Sequence, residues 1–411
     1  MNKKNHIVFI VPLYLPSNIS GSEIVVRDIA EVMAKQSFNV TLLTSDALTS
    51  RYWYDPIFGK KNHTELEYIN GVKVIRLKCE PFISSFFFIL NAIIQRISLF
   101  HYIGGKIADR IEILSWGPIL RNLEKILLKE QPNMVVVSPF PAGICLTTKE
   151  ICKQYHLRYS VIPFFKKDHK IFENNYLKTI LDNAFSIFTP TNTEKTYIQQ
   201  FTSNKNIGLL PSSIDIEFIK THQKQIENAK IRLQKNSQYK DKKIVLFIGN
   251  KGKGKGVIDA AEAIHKLHDN NVVFVSIGNN TVEWNKYLSQ KNNSRGIVDV
   301  KYLTGVAKYS FFSLCDLFIL PSLTDNFPLV FLEAWQFKKP VLTYDYYSMA
   351  EILIDGSGFL AKKNDIDDLS KYIGYILRHK VIAQKAGEIG YYKIKNYSRE
   401  NIVNNYFLPK I

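Results

Sequence analysis

The sequence is poor in cysteine and contains no uninterrupted apolar run of the length that crosses a membrane. Its four cysteines form no C-x-x-C pair and follow no metal-ligand spacing. This pattern disfavours a disulfide-stabilised secreted module and a zinc module. We therefore expect free thiols in a reducing cytoplasm.

The first residues partly resemble a secretory signal, because Met1 to Lys4 precede the apolar stretch Ile7 to Val11. The apolar stretch is short, meets Pro12 and precedes no small-residue cleavage site. A first β-strand in a protein that is not exported is the expectation.

The composition is that of a folded protein with a strong positive charge. The chain has 411 residues, of which 46% are hydrophobic and 13% aromatic, enough for two domain cores. The net charge of +17 is spread over the chain, +8 in residues 1–210 and +9 in residues 211–411. Such a field suits a nucleoside diphosphate, an anionic membrane or nucleic acid, although a general bias toward Lys, Asn and Ile explains it equally well. No basic helix or stacked aromatic motif is present, so we expect no nucleic-acid partner.

The chain opens with a strand, a loop, a helix and a second strand. The strands are Ile7–Val11 and Val40–Thr44, and the helix is Glu23–Lys35. This order is typical of a doubly wound α/β sheet. Gly21 in the loop allows close approach of the backbone to a ligand, and a purely structural turn is the alternative.

The segment from Pro81 to Gly105 is rich in Phe, Ile and Leu but is interrupted by Asn91 and by Gln95-Arg96. It is too short to span a membrane. A buried or inter-domain helix is one interpretation. The other is a helix that lies in a membrane interface, with Arg96 and Lys106 near headgroups. Residues 106–130 then show a helical pattern.

A polar loop, residues 164–170, follows the predicted strand Tyr159–Pro163. His169 in this loop is a candidate acid, base or phosphate donor, although a histidine in a loop is more often simply solvated.

Glycine and lysine alternate in the loop from Gly249 to Gly256, between the predicted strand Ile244–Ile248 and a helix that starts at Val257. Exposed amides, lysine charges and a helix N-terminus converge on one anion in such a loop, so we predict a phosphate site. A P-loop is the weaker alternative, since Gly256 stands where the Mg²⁺-binding hydroxyl belongs.

The stretch from Leu320 to Leu342 contains two carboxylates, Asp325 and Glu333, eight residues apart. A strand ends before it, and a helix is predicted from Leu329 to Phe337. Ligands of open α/β sheets bind between a strand end and a helix start, so both carboxylates can face one ligand.

Metal-binding patterns are weak. Asp365-Ile366-Asp367 spells D-x-D but opens a predicted helix, which favours N-capping. His265 and His268 lack a third ligand. We therefore expect no metal.

With these motifs, the whole chain resembles a glycosyltransferase of the GT-B fold, most like family 4 with its E-x7-E motif. The C-terminal half carries the more specific matches, and the N-terminal half matches more weakly. The matching segments are Lys255-Gly256, Leu320-Pro321-Ser322, the carboxylate motif with Ala334 and Pro340, Glu351, Gly358, Ser20-Gly21-Ser22-Glu23 and Pro211–Asp215.

The resemblance implies roles for these residues. Glu333 binds ribose hydroxyls of a nucleotide sugar, Asp325 the donor sugar, and Lys255 neutralises the β-phosphate of the leaving group. Gly21 approaches that phosphate on closure. The resemblance also implies retention of anomeric configuration without a metal, and further donor contacts from the loops, namely Gly249, Asn250, Lys251, Phe327, Pro328, Leu329 and Val330.

Four positions depart from the family pattern. Asp325 replaces the usual Glu, which shortens its reach and bears on sugar choice. Asn250 replaces an Arg, and Lys251 or Lys253 is expected to supply the missing cation. The family histidine aligns more naturally with Lys166 than with His169, and the double glycine of the first loop is reduced to Ser20-Gly21.

The predicted fold is α/β, with two Rossmann-like doubly wound domains facing across a cleft. Residues 1–210 are expected to bind the acceptor, residues 211–394 the donor, and a C-terminal helix, about 395–411, to cross back. The expected activity is transfer of a hexose-type sugar to a glycan or lipid-linked acceptor in surface polysaccharide biosynthesis, by a cytoplasmic enzyme with possible peripheral contact to an anionic membrane. A catalytically degenerate GT-B protein that binds a nucleotide sugar or a partner is the alternative.

Overall fold

The structure is a computed structural model that includes side chains and describes most of the chain. The described residues are 5–17, 20–96, 105–140, 142–165, 167, 171, 174–290 and 294–411. They form two compact units. The first comprises Met1–Pro211 and Arg399–Ile411, and the second Ser212–Ser398.

The first unit is built on a mostly parallel sheet with the strand order β3-β4-β2-β1-β5-β6-β7-β8 among the described residues. Strand β3 runs antiparallel to its neighbour, β4. The strands are β1 His6–Ile10, β2 Asn39–Ser45, β3 Leu66–Ile69, β4 Val72–Leu77, β5 Met134–Val137, β6 Tyr159–Val161, β7 Ser186–Thr189 and β8 Ile207–Leu209.

Helices connect these strands and cover the sheet. They are α1 Gly21–Lys35, α2 Pro81–Arg96, α3 Gly105–Leu114, α4 Leu123–Glu130, α5 Gly143–Gln154, α6 Asn175–Asp182 and α7 Asn192–Ile198, with a 3-10 helix at Ser50–Trp53. Every residue of β1, β5 and β7 is buried. Continuous apolar runs are typical of parallel strands that are covered on both faces.

The second unit contains a parallel sheet with the order β11-β10-β9-β12-β13-β14. Its strands are β9 Lys243–Ile248, β10 Val272–Ile277, β11 Ile297–Val300, β12 Leu317–Ile319, β13 Val341–Asp345 and β14 Phe359–Lys362. Its helices are α8 Ile216–Thr221, α9 Gln223–Gln234, α10 Val257–His265, α11 Val282–Ser289, α12 Gly305–Leu314, α13 Leu329–Gln336, α14 Ser348–Leu353, α15 Ile366–Arg378 and α16 Lys380–Lys393, with 3-10 turns at Lys253–Lys255 and Ile394–Tyr397.

The predicted fold of two Rossmann-like α/β domains is confirmed. In each sheet the chain order reverses next to the first strand of the unit, since β1 lies between β2 and β5, and β9 between β10 and β12. Ligands bind outside the carboxyl ends of parallel strands at such a switch point. The loops after β9 and β12 are therefore well positioned for a ligand.

Two predicted elements differ from the structure. The helical pattern of residues 106–130 forms two helices, α3 and α4, because Pro118 lacks an N–H and cannot continue a helix. The sequence also favours a strand from Val300 to Leu303, whereas β11 ends at Val300.

Helix α2 also differs from the interpretation as a buried helix. Its large apolar side chains are mostly exposed, among them Phe82, Phe86 and Ile89. The part of this segment beyond Arg96, up to residue 104, lies outside the described residues. No helix in the described part of the chain is both long and apolar enough to cross a membrane.

The C-terminal segment packs on the sheet of the first unit. It consists of α17 Arg399–Ile402, a π-helical turn Val403–Phe407 and a 3-10 turn Leu408–Lys410. The ring of Phe407 is fully buried and stacks on Phe188 and Phe9, with centroid distances of 5.0 and 6.1 Å. Arg399 adds ion pairs to Asp28 at 3.0 Å and Glu31 at 3.7 Å.

Replacing Phe407 tests how strongly this segment holds the first unit together. We expect Phe407→Ala to lower the free energy of unfolding by about 3–5 kcal/mol, because a large buried ring leaves a cavity. Asn405→Ala, at an exposed position of the same turn, should change it by less than about 0.5 kcal/mol. Urea unfolding measures both. Equal stability of the two variants would contradict a packed tail.

Candidate active site

The loop after β9 turns sharply into α10. It passes through the 3-10 turn Lys253–Lys255 to Gly256, which has a φ of 73°. A Cβ on Gly256 would lie 2.2 Å from the backbone oxygen of Pro321. Only glycine accommodates both the left-handed backbone and this close approach.

The same loop rests on the segment that follows β12. The backbone oxygen of Gly254 accepts a hydrogen bond of 2.9 Å from the backbone N–H of Leu323. The hydroxyl of Ser322 in turn accepts one of 3.2 Å from the backbone N–H of Asp325. The first bond joins the two loops, and the second fixes the turn that carries Asp325. Together they bring Lys255 beside Asp325.

Lys255 and Asp325 form an ion pair in which the ammonium donates to Oδ1 of the carboxylate. The second oxygen of Asp325, Oδ2, is buried and accepts no hydrogen bond from the residues that the structure describes. A buried acceptor without a donor costs about 1–3 kcal/mol. A ligand hydroxyl at this oxygen would recover that free energy.

Glu333 lies one turn into α13, between the fully buried side chains of Leu332 and Ala334. Its Oε1 accepts hydrogen bonds from the ammonium of Lys308 and, at 3.2 Å, from the hydroxyl of Tyr309. Its Oε2 is buried and has no hydrogen-bond donor within the described ranges.

Asp325 and Glu333 therefore share one arrangement. In each, a lysine compensates the charge through one oxygen, and the other oxygen is buried without a donor. An ionised carboxylate only accepts hydrogen bonds, so both are suited to bind hydroxyl groups.

The start of α13 adds backbone donors to the site. Pro328 precedes the helix, and the oxygen of Phe327 accepts a hydrogen bond of 3.2 Å from the hydroxyl of Ser212. The N–H groups of Leu329 and Val330 lie in the first turn, where no helical carbonyl is available to them. Such amides bind anions.

The structure corrects the prediction for Lys251 as a substitute for the missing diphosphate cation. Its side chain is fully buried, and its ammonium donates to Asp299 at 2.6 Å, the backbone oxygen of Val300 at 2.8 Å and Asn280 at 2.9 Å. Three acceptors use all three N–H donors of a lysine. Lys251 is thus a structural residue beneath the loop, whereas Lys253 is exposed.

The network around Lys251 also shifts two pKa values. Burial lowers the pKa of the Lys251 ammonium, and the contact with Asp299 opposes part of that shift. Burial alone would raise the pKa of Asp299. Hydrogen bonds from Lys251, Asn280, Trp284 and Ser276 outweigh it and hold the pKa of Asp299 below its ordinary value.

The remaining predicted site residues lie in the loop after β9, at the start of α1 or outside the described residues. Gly249 is half-buried and Asn250 exposed in the loop after β9. Gly21 is exposed in the first unit at the start of α1, where Glu23 accepts a 3.0 Å hydrogen bond from the backbone N–H of Ser20. Both His169 and its alternative Lys166 lie outside the described residues. The roles predicted for these residues remain predictions.

No group of three His, Cys, Asp or Glu side chains that could hold a metal occurs in the part of the chain that the structure describes. The predicted N-cap at Asp365 is confirmed, because its side chain accepts a 2.9 Å hydrogen bond from the backbone N–H of Asp368.

Lys308 and Tyr309 were not predicted from the sequence. They precede Glu333 by 25 and 24 residues on a different helix, α12. No local pattern distinguishes Lys308 among the 54 lysines and arginines of the chain. Only the packing of α12 against α13 shows this contact.

A family model for glycosyl transferases group 1 matches residues 228–395, which contain both lysine-paired carboxylates and the glycine–lysine loop. The matched residues form most of the second unit and less than half of the chain. This match supports the predicted enzyme class, a glycosyltransferase that depends on a nucleotide sugar. The match does not show the family 4 subdivision or a retaining E-x7-E motif.

Two curated relatives are similar to parts of the chain. An uncharacterized glycosyltransferase of Methanocaldococcus jannaschii is 29% identical over 160 residues, which are 38% of this chain and 45% of the relative. The capsular polysaccharide biosynthesis glycosyltransferase CapM of Staphylococcus aureus is 23% identical over 305 residues, or 69% of this chain and 78% of CapM. The chain thus spans less than half of the first relative.

Solved structures share the fold along nearly the whole chain. Sucrose-phosphate synthase from Thermosynechococcus elongatus has a TM-score of 0.71 at 15% identity, covering 97% of this chain and 96% of that one. Anabaena Alr3699/HepE, solved in complex with UDP-glucose, has a TM-score of 0.68 at 13% identity, covering 97% of both. The predicted GT-B fold is confirmed by these similarities.

The buried network under the loop yields a stability prediction. Lys251→Met should lower the free energy of unfolding by about 3 kcal/mol, because it leaves Asp299 without its cation. Since the pKa of Asp299 is lowered on folding, its contribution is present above about pH 4 and is lost as the pH falls below that. We would therefore measure urea unfolding at pH 7.

Lys253→Met provides the matched control, at an exposed lysine two residues along the same loop. It should change the free energy of unfolding by less than about 0.5 kcal/mol. The double variant Lys251→Met/Asp299→Asn should be more stable than the sum of the two single losses predicts. Equal effects of Lys251→Met and Lys253→Met would contradict the structural role of Lys251.

Proposed function

We propose that this chain transfers a hexose-type sugar from a nucleoside diphosphate sugar to a glycan or lipid-linked acceptor in surface polysaccharide biosynthesis. The observation that carries the proposal is the pair of buried carboxylate oxygens without donors, Oδ2 of Asp325 and Oε2 of Glu333. A nucleotide sugar offers hydroxyl groups at two separate places, the ribose and the sugar, and its charged diphosphate lies between them.

Three side chains each recognise a different part of this donor. Glu333 accepts hydrogen bonds from the ribose hydroxyls through Oε2, and Asp325 accepts one from a sugar hydroxyl through Oδ2. Lys255 binds the diphosphate. Its ammonium has three N–H groups, so it can contact a phosphate oxygen and still donate to Oδ1 of Asp325.

The same groups stabilise the leaving group. In the proposed reaction the bond between the anomeric carbon and the β-phosphate oxygen breaks, and its electron pair goes to that oxygen. The acceptor hydroxyl forms the new bond on the same face of the sugar and passes its proton to the departing phosphate oxygen. Lys255 and the first-turn amides of α10 and α13, which include those of Leu329 and Val330, offset the growing negative charge without a metal.

Two positions bear on which donor is used. Asp325 is one methylene shorter than the glutamate usual in the resembled family, so it favours a sugar whose hydroxyl lies closer to the loop. Asn250 supplies no charge to the diphosphate. With Lys251 buried, the exposed Lys253 is the lysine of this loop that remains for that contact.

The acceptor class is supported by a relative and by an exposed helix. CapM of Staphylococcus aureus is named for capsular polysaccharide biosynthesis. Lipid-linked acceptors of such pathways lie at a membrane, and the exposed apolar surface of α2 suits contact with a membrane.

Removing the carboxylate that is proposed to bind the ribose tests the function most simply. We expect Glu333→Ala to lower kcat/KM for the donor by about tenfold to a hundredfold, because a hydrogen bond to a charged group contributes about 1.5–3 kcal/mol. Thermal-shift screening against UDP-, GDP-, ADP- and CDP-sugars first identifies the donor, and release of the nucleoside diphosphate then measures turnover.

Glu283→Gln is the matched control, because Glu283 is an exposed glutamate of the same unit. It should retain wild-type turnover. Full activity in Glu333→Ala would contradict the proposed site. Donor binding by the wild type without any turnover would favour the alternative, a catalytically degenerate protein that binds a nucleotide sugar.

We further propose that α2 contacts a membrane. Its outward face forms an apolar stripe with helical spacing. Phe82, Phe86, Ile89 and Ile93 are 79%, 59%, 58% and 46% exposed. Side chains at i, i+4, i+7 and i+11 lie on one face of a helix.

Three polar residues of α2, Ser84, Ser85 and Asn91, face the protein instead. Ser85 donates a 2.6 Å hydrogen bond to the backbone oxygen of Tyr54, and Asn91 donates one of 3.2 Å to the hydroxyl of Ser115. Ser84 is fully buried. An amphipathic helix in water normally buries its apolar face, so this reversed orientation favours an apolar surrounding outside the protein.

Charge favours an anionic membrane over a second copy of the chain as the partner. Arg96 at the end of α2 and Lys106 near the start of α3 are exposed. With a net charge of +17, two copies repel each other, whereas anionic headgroups attract the chain. A helix that lies in the interface with inserted aromatic side chains fits this arrangement.

Replacing two of these phenylalanines tests the membrane contact. We expect the wild type to float with vesicles of phosphatidylglycerol and phosphatidylcholine, and Phe82→Ser/Phe86→Ser to bind at least about tenfold more weakly. Each inserted ring contributes about 1.5–3 kcal/mol. Flotation at low and physiological salt measures the bound fraction.

The control variant is Val282→Ser/Val381→Ser, which removes two apolar side chains that are 82% and 81% exposed in the second unit. It should float like the wild type. A wild type that stays unbound at low salt would contradict the proposal. So would a wild-type dimer in light scattering that Phe82→Ser/Phe86→Ser converts to a monomer.

A further inference from the structure

We infer that Lys308 is a positioning residue that, together with Tyr309, directs one oxygen of Glu333 toward the ribose of the nucleotide. The inference rests on the proposed function, because it assigns the ribose to Glu333. Lys308 contacts no part of the donor in this scheme and acts through the carboxylate alone.

The two donors reach the carboxylate from consecutive residues of α12. Lys308 donates through its ammonium and Tyr309 through its hydroxyl, and both bonds end on Oε1. Oε2 receives no hydrogen bond from the described parts of the chain. The two oxygens of Glu333 are chemically equivalent in a free carboxylate, and these contacts make them different.

Packing holds the donors in place. The ring of Tyr309 is buried and lies 5.8 Å from Phe218 and 6.1 Å from Phe337, centroid to centroid. The Lys308 ammonium lies 4.7 Å from the centroid of the Tyr309 ring, a cation–π distance. Its side chain is 20% exposed, so the ion pair with Glu333 is largely shielded from water.

The geometry has a functional consequence for Glu333. Without Lys308, a buried carboxylate would lack its compensating cation and one of its two fixed donors, so it would be free to rotate. Oε2 would then no longer be a fixed acceptor for a hydroxyl. Loss of Lys308 should therefore weaken the part of nucleotide affinity that comes from the ribose hydroxyls and leave the diphosphate part intact.

Comparing a nucleoside diphosphate with its dideoxy form separates the ribose part of the affinity from the diphosphate part. Isothermal titration would measure the diphosphates of uridine, guanosine, adenosine and cytidine, each beside its 2′,3′-dideoxy form, which lacks the ribose hydroxyls. We expect the wild type to prefer the ribose form of its nucleotide by about tenfold to a hundredfold. In Lys308→Met this preference should fall to within about threefold, through weaker binding of the ribose form alone.

Two further variants control for simple structural damage. Lys308→Arg keeps the cation and should keep a preference of at least about fivefold. Tyr309→Phe removes the weaker donor and should give an intermediate preference. Melting temperatures of all variants show whether each is folded, and if Lys308→Met is not folded, Lys308→Gln takes its place.

The outcomes distinguish the inference from the proposed function. Equal weakening of the ribose and dideoxy forms in Lys308→Met, or an unchanged preference, would overturn the positioning role while the proposed function stands. Failure of the wild type to bind any of the four diphosphates would overturn the proposed function and the inference with it.

Discussion

Close contact between two loops determines the geometry of the whole candidate site. Gly256 lies against the backbone of Pro321, and Gly254 accepts a hydrogen bond from Leu323. No larger side chain fits at Gly256. This contact brings a lysine from the loop after β9 to a carboxylate from the loop after β12, although 70 residues separate them. The sheet supports it, because β9 and β12 are adjacent parallel strands.

The rest of the second unit maintains this contact from two sides. Beneath the loop, buried Lys251 ties it to the ends of β10 and β11 through Asn280, Asp299 and Val300. On the other side, α12 provides Lys308 and Tyr309 to the carboxylate on α13. Charge is compensated in both carboxylates by a lysine, yet each retains one buried acceptor oxygen. A rigid pair of acceptors is what recognition of hydroxyl groups requires.

Much of this architecture follows from local sequence. The apolar runs of β9 and β12 predict buried strands, and the glycines and lysines between Gly249 and Gly256 predict a phosphate loop. Asp325 and Glu333 are identified by their position between a strand and a helix. The orientation of each side chain is not local information. Alternating Lys251, Lys253 and Lys255 look alike in sequence, whereas in the structure the first is buried and paired, the second exposed and the third paired with Asp325.

Two further features could not be predicted from the sequence. They are the contacts between distant elements and the question of which face of a helix turns toward the protein. Lys308 meets Glu333 only because α12 packs beside α13. In the sequence, the aromatic residues of α2 are compatible with a buried helix. In the structure, hydrogen bonds from Ser85 and Asn91 show that these two polar residues face the protein. The break between α3 and α4 at Pro118 is a local feature, and the helical pattern of residues 106–130 obscured it.

A structure of the protein with a bound nucleoside diphosphate sugar tests the proposed donor site most directly. Oε2 of Glu333 should then lie within about 3 Å of a ribose hydroxyl oxygen, Oδ2 of Asp325 within about 3 Å of a sugar hydroxyl, and the ammonium of Lys255 at a similar distance from a phosphate oxygen. A nucleotide bound elsewhere, with both carboxylate oxygens still lacking a donor, would contradict it.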